Sequence, residues 1–170
     1  MKFKATKAFV AVTAVAAVLS ATPALALDTA FTATMNILTA LAVTKNTNLT
    51  FGNYEAGVVA NLVVAPADPG AATFDITAGA ATTPVVIEVV EKVGFMMITG
   101  AGLGATQQIP VDFWTFGGVG VTDNGNETAS ATLGALGTLA GIQVGATAAL
   151  DGTDIVGAYS GTATFRVTYL

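Results

Sequence analysis

The chain has 170 residues, with six Lys/Arg against eleven Asp/Glu, no histidine and no cysteine. Without His or Cys it lacks the commonest general bases, nucleophiles and transition-metal ligands, and it cannot form disulfides. Lys2, Lys4 and Lys7 hold half of the cations, so the rest of the chain has only Lys45, Lys92 and Arg166, too few for the basic footprint of a nucleic-acid or anionic-membrane binder.

The N-terminus reads as a signal peptide over 1–26. Three lysines precede an apolar stretch from Ala8 to Leu19, and Pro23 is followed by the small-x-small pattern Ala24-Leu25-Ala26. The stretch is shorter than the ~20 residues a spanning helix needs. The expectation is a signal-peptide helix that is cleaved, export through the periplasm, and a mature chain 27–170 that is secreted or at the cell surface without inserting into a membrane. Its length suits a single domain.

From there nearly every segment reads as strand. Phe31, Ala33, Met35, Ile37, Leu41 and Val43 alternate with Thr32, Thr34, Asn36 and Ala42, which predicts one long strand, or two in line with a bend near Thr39 and Ala40. Lys45 to Asn48 reads as a turn, Leu49 to Phe51 as a short strand and Val58 to Val64 as the next, closed by the Pro66–Gly70 loop. Thr73 to Thr77 follows, then Val85 to Glu91 with Val85, Ile87 and Val89 inward and Glu88 outward. The apolar run Phe95 to Ile98 within Val93–Thr99 suggests a strand covered on both faces. Ile109 to Phe116 carries the lone tryptophan, Trp114.

Gly117 to Gly125 reads as loose chain ending in Asn124-Gly125, the strongest short hairpin signal present. Glu127 to Leu133 and Thr138 to Val144 read as strands. The Ala- and Gly-rich stretch Ala129 to Ala149 also admits a short helix, and its glycines favour strand. Tyr159, Gly161, Ala163, Phe165, Val167 and Tyr169 alternate with Ser160, Thr162, Thr164, Arg166 and Thr168, which predicts a closing half-buried strand. About nine short strands with Gly-marked turns predict an all-β, antiparallel β-sandwich.

Residues that could carry chemistry are few. Glu88 and Glu91 are a close carboxylate pair in sequence, but a three-residue offset on a strand sends them to opposite faces. Asp112 beside Trp114 could form a sugar platform, although a lone Trp next to Phe113 and Phe116 is more often packing. Asp123, Asn126 and Glu127, or Asp151 and Asp154, offer hard oxygens to calcium, and the same residues are ordinary turn formers. Gly100, Gly102 and Gly104 lack the spacing and the following helix of a dinucleotide fingerprint. No catalytic, cofactor or metal site is expected, and the chain reads as non-enzymatic.

Three passages carry a resemblance. Leu49, Phe51 and Gly52 form an L-x-F-G passage after the first alternating segment. Ala72-Thr73-Phe74-Asp75-Ile76-Thr77 follows a Pro/Gly loop, and the chain closes on Gly157 to Tyr169. In this order they resemble a bacterial family of small secreted β-sandwich domains of unknown function and, more distantly, the pilin-like domains of the spore-coat-U and archaic chaperone–usher families. The resemblance implies an incomplete immunoglobulin-like sandwich completed by β-strand addition. It implies self-association, with a periplasmic chaperone and an usher as further partners. Phe31, Ala33, Met35 and Ile37 would be the donor strand, and Phe165, Val167 and Tyr169 would flank the acceptor groove. The absence of cysteine departs from classical pilins, and the N-terminal segment could equally be the first strand of a complete sandwich. The function expected is therefore a self-associating fimbrial or other surface subunit. The alternative is a monomeric sandwich that binds carbohydrate or calcium, with a carboxylate hydrolase ranked last.

Overall fold

In the computed structural model of the protein, residues 30, 32–99 and 104–170 are described. The expected signal peptide, Phe31 of the candidate donor strand, and Gly100 and Gly102 lie outside them. Residues 36–170 form one compact unit, while Ala30 and Thr32–Met35 belong to a separate N-terminal unit and are exposed and outside any strand.

The compact unit is an all-β sandwich of two antiparallel sheets. Seven strands form the larger: β1 (Ala42–Thr47), β2 (Val59–Val64), β3 (Ala72–Ala78), β5 (Phe95–Thr99), β6 (Gln108–Gly117), β9 (Leu139–Asp151) and β10 (Tyr159–Ser160). Their order is β1-β3-β9-β6-β5-β10, with β2 also paired to β9. The smaller sheet holds β4 (Pro84–Val89), β7 (Val121–Asp123), β8 (Thr128–Thr132) and β11 (Phe165–Tyr169), in the order β11-β4-β8-β7. A 3-10 turn over Ala105–Gln107 leads into β6.

Strand β9 is the spine of the larger sheet. Its first half pairs with β3, its second half with β2, and its other edge with β6. The small residues that left Ala129–Ala149 open to two readings suit this role. A Cβ on Gly145 would stand 2.1 Å from the carbonyl oxygen of Val64, so only glycine lets the chain through where β2 and β9 meet.

The core lies between the sheets, where strand alternation puts it. Val85, Ile87 and Val89 of β4 are buried, as are Ile76, Val111, Leu133, Ile142 and Val144. At the tip of the β7–β8 hairpin, Asn124 N–H donates to Thr128 C=O at 2.9 Å and Gly125 adopts φ +76°, the left-handed conformation such turns require.

Among the described residues, eleven strands replace the expected nine or so, and each difference follows from what the segment pairs with. Residues 32–41 form no ladder, so the predicted N-terminal strand begins only at Ala42. Lys45 to Thr47, expected as a turn, are strand because they pair with β3. Leu49 to Phe51 form no strand, since Thr50 N–H donates to Gly70 C=O as a single cross-link rather than as part of a ladder. The run Phe95–Ile98 is not covered on both faces: Met96 is exposed, and among the described residues β5 has only β6 and the two-residue β10 beside it. The closing strand keeps its alternation but divides. Tyr159 and Ser160 pair with β5 in one sheet, and Phe165 to Tyr169 pair with β4 in the other.

Candidate functional site

Strand β11 ends the smaller sheet. It pairs with β4 residue for residue, from Phe165 opposite Val89 to Tyr169 opposite Val85, and has no second strand partner among the described residues. Its outer N–H and C=O groups thus form an edge open to another strand. Phe165, Val167 and Tyr169 are half-buried and pack against the core, while Arg166 and Thr168 face outward.

Both ends of β11 are fixed by polar contacts. Ala80 N–H donates to the Tyr169 hydroxyl at 2.6 Å, and that hydroxyl donates to Thr39 C=O at 2.6 Å. At the other end, the Glu91 carboxylate accepts from Thr164 N–H at 2.6 Å and from its hydroxyl at 2.8 Å. The backbone N–H and then the hydroxyl of Thr164 hold the Glu91 carboxyl below its ordinary pKa. Arg166 and Lys92 both meet Glu88 at 3.2 Å. Glu88 and Glu91 thus brace the strand separately and do not meet as a catalytic pair.

Beside the start of β11 a groove of about 500 Å3 opens between the sheets. Phe74, Phe95, Met97, Trp114, Val144 and Phe165 line it, with Leu49 and Phe51 on one side and the Ser160–Ala163 link on another. The Phe74 and Phe165 rings stack at 4.0 Å with an interplanar angle of 6°, and Phe95 meets Trp114 edge to face at 5.6 Å. Trp114 is 4% exposed and its Nε1 hydrogen has no acceptor among the described residues. The three sequence passages singled out above converge here, because Leu49 and Phe51, Ala72 and Phe74, and Tyr159 to Ala163 with Phe165 all belong to the groove wall.

Of the three expected acceptor residues, Phe165 lines the groove, and Val167 and Tyr169 continue its face along β11. Among the expected donor residues, Ala33, Met35 and Ile37 lie outside any strand, with Met35 85% and Ile37 82% exposed. The roles of Phe95, Met97 and Trp114 were not read from the sequence, since they come together only through β5–β6 pairing.

A second concavity, of about 220 Å3, sits where β6 bulges. Asp112 pairs with Thr147 but Thr115 pairs with Gly145, so β6 carries one extra residue. The bulge turns Trp114 into the core and leaves Phe113 68% exposed at φ +53°. Trp114 therefore cannot serve as a sugar platform beside Asp112; the exposed ring is that of Phe113. Glu127, also at positive φ, reaches this bulge. Burial, then a hydrogen bond and charge repulsion from Asp112, push its carboxyl pKa up, while the Trp114 and Phe113 N–H groups pull the other way.

The acidic turns are occupied by their own backbone. Asp123 accepts from Phe116 N–H at 2.9 Å and Gly125 N–H at 2.8 Å, and Asp151 accepts from Thr153 N–H at 2.7 Å. Among the described residues, no three or more acidic groups converge in a set that could hold a metal ion.

Compared with protein-family models, with curated proteins and with solved structures, the chain has no match.

Proposed function

We propose that this protein is a non-enzymatic extracellular structural subunit, exported by a cleavable signal peptide, that self-associates by β-strand addition in the manner of pilin-like fimbrial subunits. The observation that carries this reading is the unpaired edge of β11 beside an apolar groove about 500 Å3 in volume. An added strand would satisfy the β11 backbone, and its alternate side chains would enter the groove. The segment Phe31, Ala33, Met35 and Ile37 of a neighbouring copy has the required alternation. Each large apolar side chain transferred from water to the groove contributes about 1.5–3 kcal/mol. A chaperone that lends a strand to the same edge would shield it before assembly, and an usher would exchange it for the neighbour's segment. The absence of His and Cys from the whole sequence supports a role without reaction chemistry.

The test is the size distribution of the full chain by sedimentation. Assemblies that collapse when Met35→Asp and Ile37→Asp are introduced support the reading. A chain monomeric at all concentrations, or assemblies indifferent to both substitutions, would overturn it.

The bulge favours a second reading, a monomeric sandwich that binds carbohydrate. Exposed Phe113 beside Asp112 and Glu127 offers a ring face with hydrogen-bonding carboxyls, the usual means of holding a sugar. A rise in melting temperature with a glycan, abolished by Phe113→Ala, would establish it.

A further inference from the structure

Among the described residues, five strands end a ladder: β1, β2 and β10 in the larger sheet, and β7 and β11 in the smaller. β11 is the edge assigned above to strand addition. Three of the others carry features that discourage side-by-side pairing. β10 has two residues and β7 three, and β1 contains Lys45 and two breaks of register. β2 has no such feature. It pairs with β9 without a break from Val59 opposite Asp151 to Val64 opposite Ala146, and its other edge has no backbone partner among the described residues.

The residues of β2 sort cleanly by face. Leu62 and Val64 pair with Ala148 and Ala146, on the core side. Val59, Asn61 and Val63 face away, with Val59 74% and Val63 67% exposed. We propose that β2 is an edge at which two copies of this chain pair antiparallel about a two-fold axis through Asn61.

The register is self-complementary about that residue. Val59 falls opposite Val63 of the second copy, Ala60 opposite Leu62, and Asn61 opposite its own counterpart. Outward residues therefore meet outward residues and core-side residues meet core-side residues, so both larger sheets continue across the axis without flipping a face. The two exposed valines of each copy are covered by their counterparts, and the Asn61 amides can hydrogen-bond to each other. Charge also favours this strand as the meeting place. Acids outnumber cations in the chain, yet no ionisable residue lies between Glu55 and Asp68. Two copies can therefore approach along β2 without setting one carboxylate against another.

This contact is distinct from strand addition at β11. A head-to-tail contact leaves an open chain, whereas an isologous one closes on itself. With both in place, two filaments would be joined side by side.

The chain lacks cysteine, so a single Asn61→Cys reports directly on the axis. Antiparallel partners have Cα atoms about 4.5–5.5 Å apart, within the range a disulfide spans. Mild oxidation of the full-length Asn61→Cys variant should give a cross-linked dimer at least tenfold faster than Leu136→Cys, whose side chain is exposed away from β2. In the Ile37→Asp background, sedimentation should give a mass of two copies, and adding Val63→Lys should halve it while circular dichroism still shows a folded chain. Equal cross-linking of the two cysteine variants, or a mass indifferent to Val63→Lys, would overturn the proposal. The cross-linking readout does not depend on the N-terminal segment, so failure of strand addition at β11 leaves it intact.

Discussion

The rings of Phe74 and Phe165 lie parallel, 4.0 Å apart and 6° from coplanar, one on β3 of the larger sheet and the other on β11 of the smaller. This stack ties the edge strand to the opposite sheet at the mouth of the groove. The same ring that would flank an incoming strand thus also holds its own strand in place.

Replacing Phe165 by Ala should therefore destabilise the fold as well as widen the groove. A fully buried Phe→Ala change costs about 3–5 kcal/mol, and Phe165 is half-buried, so a loss of about 2–3 kcal/mol is expected. Urea unfolding measures it. A double-mutant cycle with Phe74→Ala should return a coupling of about 0.5–1.5 kcal/mol, the range for aromatic pairs. Additive losses would mean the stack adds nothing beyond burial.

Tyr169→Phe keeps the ring and removes the hydroxyl that links Ala80 N–H to Thr39 C=O. Two neutral hydrogen bonds disappear, and the expected cost is about 1–2 kcal/mol. Hydrogen exchange at the Ala80 amide should accelerate more than exchange in β4. Unchanged protection of that amide would show that the hydroxyl is not its partner in solution.

Two carboxyls should act on stability in opposite senses as pH changes. Glu91 has a folded pKa below its unfolded value, so its contribution is present above the unfolded pKa and is lost as pH falls through the folded one. Replacing Thr164 by Val removes the hydroxyl but keeps the backbone N–H, so it should reduce that acid-side loss without abolishing it. Glu127 has a folded pKa above its unfolded value, so its contribution is complete below the unfolded pKa and is lost as pH rises through the folded one. Asp112 and Asp123 are the acids around it. Glu127→Gln should accordingly raise the melting temperature at neutral pH and change it little in acid. Melting curves across the acid range separate the two effects.

Gly145→Ala should be among the costliest single-methyl additions available. Its Cβ would stand 2.1 Å from Val64 C=O and 3.0 Å from the Pro66 nitrogen, both backbone atoms that cannot swing aside. Overpacking of this kind costs about 3 kcal/mol. The damage should appear first as faster amide exchange in β2, the strand that would have to move.

Which parts of this were legible in advance follows from what sets each one. The inward set Val85, Ile87 and Val89 was plain because alternation is a property of one strand. The Asn124-Gly125 hairpin was plain because the turn needs only its own residues. The groove was partly legible, since Leu49, Phe51, Phe74 and Phe165 were marked by the passages that carry them, though not brought together. The bulge left a trace in the sequence, where apolar positions run Ile109 and Val111, then shift phase to Trp114 and Phe116.

The amino-acid order alone therefore determined that this is a chain of short amphipathic strands without histidine or cysteine, because pleat periodicity and residue chemistry are local. Tertiary structure decided the rest. Lys45 is strand only because β3 lies beside it, and the closing segment divides only because Tyr159 finds β5 while Phe165 finds β4. Strand pairing joins residues distant in sequence, and no local pattern states which edge each ladder will find or which edges will be left open.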